Sequence, residues 1–325
     1  MMAVETEKKL YDLIIVGSGP AGCTAGIYAS RSKISNVIVG RMLGGTATEA
    51  HKISNYPGFN EISGMELSMK FLEQAKENGS EVLNESVVDI KKNGDIFDVT
   101  TSSGVNISAK TVIVATGTDR NKLLIPKEDE YLGKGLSYCA TCDGMFFRDK
   151  VVAVIGGSNA ATMAAVMLSD IAKQVYIVYR GTELRGEEAW IDQVKSKDNV
   201  EIIYTTLITS LEGESRLERV KLSKPYKGSE YLNVDGVFVE IGSEPNNLMA
   251  EKLGLETDEK KYIKVNKEQK TSVEGVWAAG DCTTNSNRFH QIVCATSEGA
   301  IAASSVYAYL KNLEGVKSNP LIYRN

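Results

Sequence analysis

Gly17-Ser18-Gly19-Pro20-Ala21-Gly22 is the stretch that decides the fold. An apolar run, DLIIV, precedes it at 12–16, a helix-like segment follows to about 31, and a second apolar run lies at 36–39. Strand, glycine-rich turn, helix and strand with the full G-x-G-x-x-G spacing predict a Rossmann unit for a dinucleotide. Gly17 permits the tight turn, Gly19 lets the backbone approach a pyrophosphate, and Gly22 lets helix and strand pack closely.

The same order of elements returns in the middle of the chain. A strand is predicted at 151–155, followed by Gly156-Gly157-Ser158-Asn159-Ala160-Ala161, a helix to about 170 and a strand at 174–179. Ser158 stands at the second fingerprint glycine, where a side chain crowds the pyrophosphate. The repeat therefore predicts a second Rossmann unit whose nucleotide turn is damaged.

Two further apolar strands end in residues typical of ligand binding. One, at 111–115, runs into Ala115-Thr116-Gly117, and the other, at 275–279, runs into Gly280-Asp281. Both fit the sheet of the first unit, at the carboxyl edge where such sheets bind ligands. A helix N-cap is the alternative for Asp281, although the Ala-rich helix predicted at 295–309 begins several residues later, which weakens that interpretation.

These strands lie far apart in the sequence, so the second unit is predicted to be inserted into the first. The predicted fold class is α/β, with two Rossmann-like three-layer domains. We place one domain at 1–121 and 247–325 and the inserted domain at 122–246, because both crossings are polar and contain proline, as linkers often do. Two crossings permit one domain to rotate against the other.

Composition excludes several classes of function. The chain has 325 residues, of which 42% are hydrophobic and 24% charged, and its net charge of −5 offers no basic field for nucleic acid. No apolar run approaches the roughly 18–20 residues of a membrane span. The N-terminal segment lacks the apolar region of a signal peptide. We therefore expect a cytoplasmic protein with no nucleic-acid or membrane partner.

One cysteine pair stands out, in the run Cys139-Ala140-Thr141-Cys142-Asp143-Gly144. The chain's 5 cysteines are too few and too scattered for a disulfide scaffold. A structural zinc site needs four ligands, and the chain offers one such pair and 2 histidines, so we predict no metal site. In a reducing compartment the pattern indicates a catalytic dithiol.

Together these motifs resemble those of the low-molecular-weight thioredoxin reductases over nearly the whole chain. The matching segments are GSGPAG at 17–22, Gly44-Gly45, Asn55-Tyr56-Pro57-Gly58, ATG at 115–117, CATCDG at 139–144 and AAGD at 278–281. The resemblance implies a homodimeric FAD enzyme. Such an enzyme passes electrons from NADPH to FAD, then to the C-x-x-C pair, and then to thioredoxin or a similar small dithiol protein.

The resemblance also assigns the FAD site to the domain at 1–121 and 247–325. It implies that the glycines of the first turn hold the pyrophosphate, that Asn55 lies near the flavin, and that Asp281 binds the ribityl chain. The full set of FAD contacts that it implies is Gly17, Gly19, Pro20, Ala21, Gly22, Gly44, Gly45, Thr46, Asn55, Ala115, Thr116, Gly117, Gly280, Asp281, Gln291 and Ile292.

The resemblance gives separate roles to the residues of the cysteine motif. It places Cys142 nearest the isoalloxazine ring, and it gives Cys139 the attack on the partner's disulfide. Asp143 would be the general acid and base, and a carboxyl group beside a dithiol can indeed supply and remove the proton that thiol–disulfide exchange requires. The alternative for Asp143 is a plain Asp-Gly turn.

The sequence departs from the family in the NAD(P) site of the domain at 122–246. The family's GGG-x-x-A reads GGSNAA at 156–161, and its H-R-R-x-x-x-R reads YRGTELR at 179–185. One phosphate-binding arginine is lost to Gly181, and Glu183 adds negative charge. The residues that the resemblance would use in this site are Gly156, Gly157, Ser158, Asn159, Ala160, Arg180 and Arg185. We expect NADPH to be a poor donor, with another reductant such as NADH or a reduced carrier protein in its place.

The leading prediction is therefore an FAD-dependent thioredoxin-disulfide reductase. Three alternatives stay open. One is a reductase of another dithiol protein with a donor other than NADPH, and the second is a flavin thiol oxidase that passes electrons to oxygen. The third is a non-enzymatic flavin redox sensor whose dithiol controls a partner. Turnover separates them, because a sensor would show no multiple-turnover disulfide reduction and an oxidase would consume oxygen.

Overall fold

The computed structural model of this chain describes residues 9–50 and 53–316, which divide into two compact units. Unit 1 holds the residues up to Asp119 and those from Glu244 onward, and unit 2 is Arg120–Ser243. Each unit is built around a parallel sheet with a glycine-rich turn. The predicted α/β class with two Rossmann-like units, the second inserted into the first, is confirmed.

The elements are numbered in chain order. The strands are β1 Leu10–Val16, β2 Asn36–Val39, β3 Glu81–Leu83, β4 Val87–Asn93, β5 Ile96–Thr101, β6 Asn106–Val114, β7 Thr118–Arg120, β8 Leu136–Ser137, β9 Val151–Ile155, β10 Gln174–Val178, β11 Val200–Ile203, β12 Ile208–Glu212, β13 Arg219–Tyr226, β14 Ser229–Asn233, β15 Gly236–Val239, β16 Ser243–Pro245 and β17 Val276–Ala278. The helices are α1 Pro20–Arg31, α2 Gly64–Asn78, α3 Glu128–Tyr131, α4 Ala140–Asp143, α5 Asn159–Ser169, α6 Glu188–Lys195, α7 Leu248–Leu253 and α8 Ile292–Leu313. Short 3₁₀ helices lie at Gly45–Glu49, Gly144–Phe147 and Ser286–Arg288.

One sheet forms the middle layer of unit 1, in the order β3-β2-β1-β6-β5-β4, with β17 also paired to β6. β1, β2, β3, β6 and β17 are parallel, whereas β4, β5 and β6 form an antiparallel meander. β6 and β17 are the strands that precede Ala115-Thr116-Gly117 and Gly280-Asp281. The prediction that both belong to the sheet of the first unit is confirmed.

Alternate residues of β1 face two apolar layers. Ile14 and Val16 pack in a cluster that includes residues of α7, whereas Leu13 and Ile15 pack with α1 and α8. α8 lies very close to α1, because a Cβ at Gly299 would stand 2.1 Å from the Ala21 carbonyl oxygen. This close approach brings the N-terminal part of α8 to the carboxyl edge of the sheet.

Unit 2 is built around the parallel sheet β11-β10-β9-β15-β8. Residues of α5 and α6 form the apolar cluster on one face, and residues of the antiparallel sheet β12-β13-β14 contribute to the cluster on the other face. β7 and β16 pair as a two-stranded ribbon. None of the helices in the described part of the chain is long and apolar enough to cross a membrane.

Several boundaries differ from the sequence prediction, and two of them lie beside predicted site residues. α8 begins at Ile292 rather than at 295, so Cys294 lies inside its first turn. Ile292 and Val293 are β-branched and weak helix formers, and Ile292 packs against the cluster around α2. The strand predicted at 174–179 ends at Val178, and Tyr179 instead begins the loop beyond it.

Candidate functional site

The first glycine-rich turn lies at the carboxyl edge of the sheet of unit 1. At Gly17 the φ angle is 118°, and a Cβ would stand 2.1 Å from the Ala115 carbonyl oxygen, so only glycine fits. A Cβ at Gly22 would stand 1.9 Å from the Gly17 carbonyl oxygen. At Gly19, in contrast, a Cβ would meet nothing nearer than the Cα of Gly45, at 3.7 Å. The turn is therefore closely packed below and open at Gly19.

Predicted site residues surround this turn. The Gly44 amide donates a hydrogen bond to the Ser18 carbonyl oxygen at 3.0 Å, and Gly45 lies against Gly19. Pro20 and Ala21 are the first two residues of α1, and Thr46 is exposed on the following 3₁₀ helix.

The segment after β6 is held next to the turn. The Ala115 amide donates to the Val16 carbonyl oxygen at 2.7 Å. The Thr116 hydroxyl donates to the Asn246 carbonyl oxygen at 3.1 Å, and the Asn246 amide donates to the Gly117 carbonyl oxygen at 3.0 Å. Two separate stretches of unit 1 thus meet at the carboxyl edge.

Glu298 of α8 fixes the loop that carries Asp281. Its buried carboxylate accepts hydrogen bonds from the Gly280 amide at 2.8 Å and from the hydroxyls of Thr283 at 3.1 Å and Ser286 at 2.6 Å. Burial raises the pKa of the Asp281 carboxyl above its ordinary value, and the Glu298 carboxylate adds to that rise, whereas His290 opposes it. Asp281 does not cap α8, because the N-cap is Gln291.

Sequence reasoning missed Glu298. The signal that could have found it is a single acidic residue among the alanines and glycines of a buried helix, where a charge requires partners.

Asn55 and Gln291 join two more distant stretches of unit 1. The Asn55 side-chain amide donates to the Gln291 side-chain oxygen at 3.0 Å, and Ile292 packs beside them against the cluster around α2. The neighbouring His290 tilts against Tyr262, with ring centroids 5.7 Å apart. Its Nε2 is buried and makes no hydrogen bond within the described part of the chain.

The second glycine-rich turn lies at the carboxyl edge of the sheet of unit 2. Gly156 has a φ of 142°, and a Cβ there would stand 2.1 Å from the Glu240 carbonyl oxygen. Ser158 is the N-cap of α5, but its side chain makes no capping hydrogen bond. Asn159 is bonded to Glu187, whose amide donates to the Asn159 side-chain oxygen at 2.5 Å, and Ala160 is exposed on the first turn of α5.

Two arginines of the predicted NAD(P) site lie on the loop after β10. The side chains of Arg180 and Arg185 are exposed, and the Arg185 amide donates to the Gly157 carbonyl oxygen at 2.6 Å. The loop is therefore anchored on the turn.

Cys139 and Cys142 form a disulfide directly after β8 in unit 2. Cys142 is exposed and Cys139 is half-buried, and the Cys142 amide donates to the Cys139 sulfur at 3.1 Å. Phe147 anchors the segment by packing on Phe238, with ring centroids 5.2 Å apart.

Ser137 is a second residue that the sequence reasoning missed. It is buried, its hydroxyl donates to an Asp143 carboxylate oxygen at 2.6 Å, and its oxygen accepts from the Cys139 amide at 3.0 Å. One hydroxyl therefore links the predicted acid–base residue to the disulfide. A serine two residues before C-x-x-C was the available signal.

Two other cysteines are held as neutral thiols. Burial raises the pKa of the Cys23 thiol to about 12 and that of the Cys282 thiol to about 11. A thiol attacks only as its thiolate, so neither competes with Cys139 and Cys142 near neutral pH. Within residues 9–50 and 53–316, no group of three His, Cys, Asp or Glu side chains is arranged to hold a metal ion.

The comparisons with known proteins agree with this arrangement. A model of the pyridine nucleotide-disulphide oxidoreductase family matches residues 11–299. The thioredoxin reductase of Bacillus subtilis is 38% identical over 314 residues, which cover 95% of this chain and 98% of the relative. This chain belongs to the low-molecular-weight thioredoxin reductase family. Its sequence resemblance is thereby confirmed.

Solved structures of thioredoxin reductases are similar to this chain over nearly its whole length. The thioredoxin reductase of Lactococcus lactis matches with a TM-score of 0.87 and 33% identity, over 93% of this chain and 99% of that chain. A ferredoxin-flavin thioredoxin reductase of Clostridium acetobutylicum matches with a TM-score of 0.51 and 33% identity, over 93% and 99%. Members of the family are FAD-dependent, with NADPH as the typical donor, and the Cys139–Cys142 pair fits a redox-active disulfide.

Proposed function

We propose that this chain reduces the disulfide of thioredoxin, with FAD in unit 1 and the Cys139–Cys142 pair in unit 2 as its two electron carriers. One observation carries the proposal. In a chain of the thioredoxin reductase family, the C-x-x-C cysteines form a disulfide in a segment that also exposes large apolar side chains.

Unit 1 fits FAD. The turn Gly17–Gly22 would hold the pyrophosphate, because it is open at Gly19, and Asp281 would bind the ribityl chain. Asn55 with Gln291 would lie at the flavin. The buried Nε2 of His290 supports this fit, since a bound cofactor would supply its missing hydrogen-bond partner. When bound, FAD supplies the two-electron carrier between the donor and the disulfide.

The two cysteines carry out the exchange with the partner. The Cys139 thiolate attacks the partner's disulfide, so that a bond from Cys139 to the partner forms and the departing thiolate takes a proton. The Cys142 thiolate then attacks the Cys139 sulfur, which re-forms the Cys139–Cys142 bond and releases the second partner thiol. The partner gains two electrons and two protons. The amide at 3.1 Å from the Cys139 sulfur supports this order, because a donor there stabilises the thiolate.

Asp143 would hold the proton that the departing thiolate needs. Ser137 would position its carboxylate and, through the Cys139 amide, keep it beside the reacting sulfur. In this role Ser137 is a positioning residue and Asp143 the proton carrier.

A protein substrate suits the surface beside the disulfide. Met145 is 57% exposed and Phe146 is 72% exposed, although unit 2 contains two buried apolar clusters. Large apolar side chains next to a reacting bond favour a protein partner such as thioredoxin.

For the donor, we propose that NADPH is poor and that a reduced carrier protein serves in its place. Ser158 and Gly181 support this, because they weaken the pyrophosphate turn and the phosphate-binding arginine set. A ferredoxin-flavin thioredoxin reductase is among the proteins that share this fold, which makes a reduced ferredoxin-like protein the first carrier to test and NADH the second.

We further propose that the protein is a homodimer in the cytoplasm. The family resemblance supports the dimer, and a dithiol that must be kept reducible supports a reducing compartment. Equilibrium sedimentation of the FAD-loaded protein tests the dimer.

The proposed function is tested without any nucleotide. The FAD-loaded protein is reduced with dithionite under anaerobic conditions, oxidised thioredoxin is added, and free thiols on thioredoxin are counted. We expect stoichiometric transfer, its loss in Cys139→Ser, and no loss in Cys294→Ser. No transfer from the reduced wild type contradicts the proposal. Oxygen uptake with added dithiols would instead indicate an oxidase.

A further inference from the structure

Tyr179 lies directly on the glycine-rich turn of unit 2. A Cβ built on Gly157 would stand 2.5 to 2.6 Å from three atoms of the tyrosine ring. Cβ atoms essentially never lie within 3.0 Å of heavy atoms in residues that are not their chain neighbours, so the ring is in contact with the turn's backbone. The ring is half-buried and packs against the apolar cluster formed with α5. It is a fixed part of the unit.

Gly181 contacts the hydroxyl end of this ring. A Cβ at Gly181 would stand 2.5 Å from Cε1, 2.8 Å from Cζ and 2.9 Å from the hydroxyl oxygen of Tyr179. A larger residue at 181 would require the ring to move. Tyr179 and Gly181 are therefore in direct contact.

The ring belongs to the residue at which a Rossmann unit would contact the ribose of a bound nucleotide. Tyr179 directly follows β10, at the strand end where a Rossmann unit contacts the adenosine ribose or its 2′-phosphate. The Gly156 amide donates to the Val178 carbonyl oxygen at 3.2 Å, so this strand end and the turn are neighbours. The ring contacts the turn at Gly157, beside this strand end.

Unit 1 has the same backbone arrangement, but glycine stands where unit 2 has Tyr179. The Gly17 amide donates to the Val39 carbonyl oxygen at 2.8 Å, and the residue that follows β2 is Gly40. A Cβ at Gly40 would stand 2.4 Å from the Ser18 hydroxyl oxygen. The position that Tyr179 fills in unit 2 therefore carries no side chain in unit 1.

We propose that Tyr179 is a specificity-determining residue that closes the second nucleotide site, and that Tyr179 and Gly181 together exclude NADPH. Arg180 and Arg185 remain exposed on the loop. Removal of the ring and return of an arginine at 181 would complete a three-arginine set for the 2′-phosphate. The inference deepens the proposed function, because it explains why electrons would enter without a nucleotide in unit 2.

Calorimetry with 2′,5′-ADP on the FAD-loaded protein tests the pair. We expect the wild type to bind more weakly than about 1 mM, and Tyr179→Ala with Gly181→Arg to bind at least about tenfold more tightly. Gly181→Arg alone gains nothing, because the ring occupies the space. Tyr176→Ala is the matched control, since Tyr176 packs on Tyr226 in the other apolar cluster and leaves the turn unchanged.

FAD content and thermal unfolding check that each variant is folded. Micromolar binding of 2′,5′-ADP by the wild type would overturn the inference, as would a folded double variant that binds no more tightly than the wild type. Should the double variant not fold, Tyr179→Ala with 5′-AMP makes the same comparison, and an unchanged affinity again overturns the inference. Thioredoxin reduction by the dithionite-reduced protein is measured separately, so its failure would remove the proposed function and leave the nucleotide result standing.

Discussion

The two glycine-rich turns share a backbone and differ in what covers it. In unit 1 the turn is open at Gly19, and the residue after the second strand is Gly40. In unit 2 the equivalent positions hold Ser158 and Tyr179, and the ring rests on Gly157. A Rossmann turn can thus keep its backbone geometry while an aromatic ring packs on it. Unit 2 also carries the Cys139–Cys142 disulfide, which follows β8.

The largest effect should come from the cysteines, because they are the proposed reacting groups of unit 2. Cys139→Ser and Cys142→Ser should each lower thioredoxin reduction by at least about a thousandfold. With Cys142→Ser, a mixed disulfide between Cys139 and thioredoxin should accumulate, which mass spectrometry detects. A stable adduct formed instead by the Cys139→Ser protein would reverse the assigned order of attack.

A side chain at Gly19 should make the open turn resemble the filled one. The φ of −76° there suits any residue, so Gly19→Val should fold and occupy the space left for the pyrophosphate. We expect FAD to bind about a hundredfold more weakly, since such overlap costs about 3 kcal/mol. Fluorescence titration of the apoprotein with FAD measures this.

Ser158→Val is the matched substitution in unit 2. It should leave FAD affinity unchanged, because we place FAD on the turn of unit 1. Equal losses in the two variants would contradict the contrast between the turns.

Asp281 should matter less than the turn. Asp281→Asn removes one charge-assisted hydrogen bond to the ribityl chain, worth about 1.5–3 kcal/mol, so FAD affinity should fall about ten- to a hundredfold. The same titration measures it. An unchanged affinity would place Asp281 outside the FAD site.

The same variant should change how the apoprotein responds to pH. Burial raises the pKa of Asp281 above 3.8, so its contribution to the free energy of unfolding is fully present below that pH and is lost as pH rises through the folded-state pKa. Asn carries no charge at any pH. Apo Asp281→Asn should therefore unfold at a higher temperature than the apo wild type at neutral pH. The difference between the two unfolding temperatures should disappear below pH 3.8. A gap that widens in acid would contradict the assigned direction.

The smallest effect should come from Ser137. Ser137→Ala removes the hydroxyl that positions Asp143, and we expect exchange with thioredoxin to slow about tenfold. Ser137→Thr keeps the hydroxyl and should recover most of the rate. The rate should also depend on pH differently in the alanine variant, which a loss of packing alone would not cause. A slow rate with an unaltered pH profile would make Ser137 purely structural.

Local patterns made much of the fold predictable. The two Rossmann units follow from glycine spacing and from apolar runs of strand length, and β2 and β9 were predicted with the bounds that the structure has. The disulfide motif was equally local.

Contacts between distant residues were not predictable in this way. The packing of Tyr179 between two glycines, the bonds of Glu298 to the Asp281 loop, and the early start of α8 depend on tertiary neighbours. The sequence did indicate where the first contact lies, because Gly181, which contacts the ring, stands at a position where the family has an arginine. The glycine at 181 is visible in the sequence, but its contact with the Tyr179 ring is visible only in the structure.

Rapid mixing of the oxidised, FAD-loaded wild type with NADPH under anaerobic conditions tests the contrast between the two turns most directly. We expect flavin absorbance to stay at its oxidised level for seconds, whereas dithionite bleaches it and oxidised thioredoxin then restores it. Bleaching by NADPH at about 10 s⁻¹ or faster, the ordinary turnover of an enzyme, would contradict it.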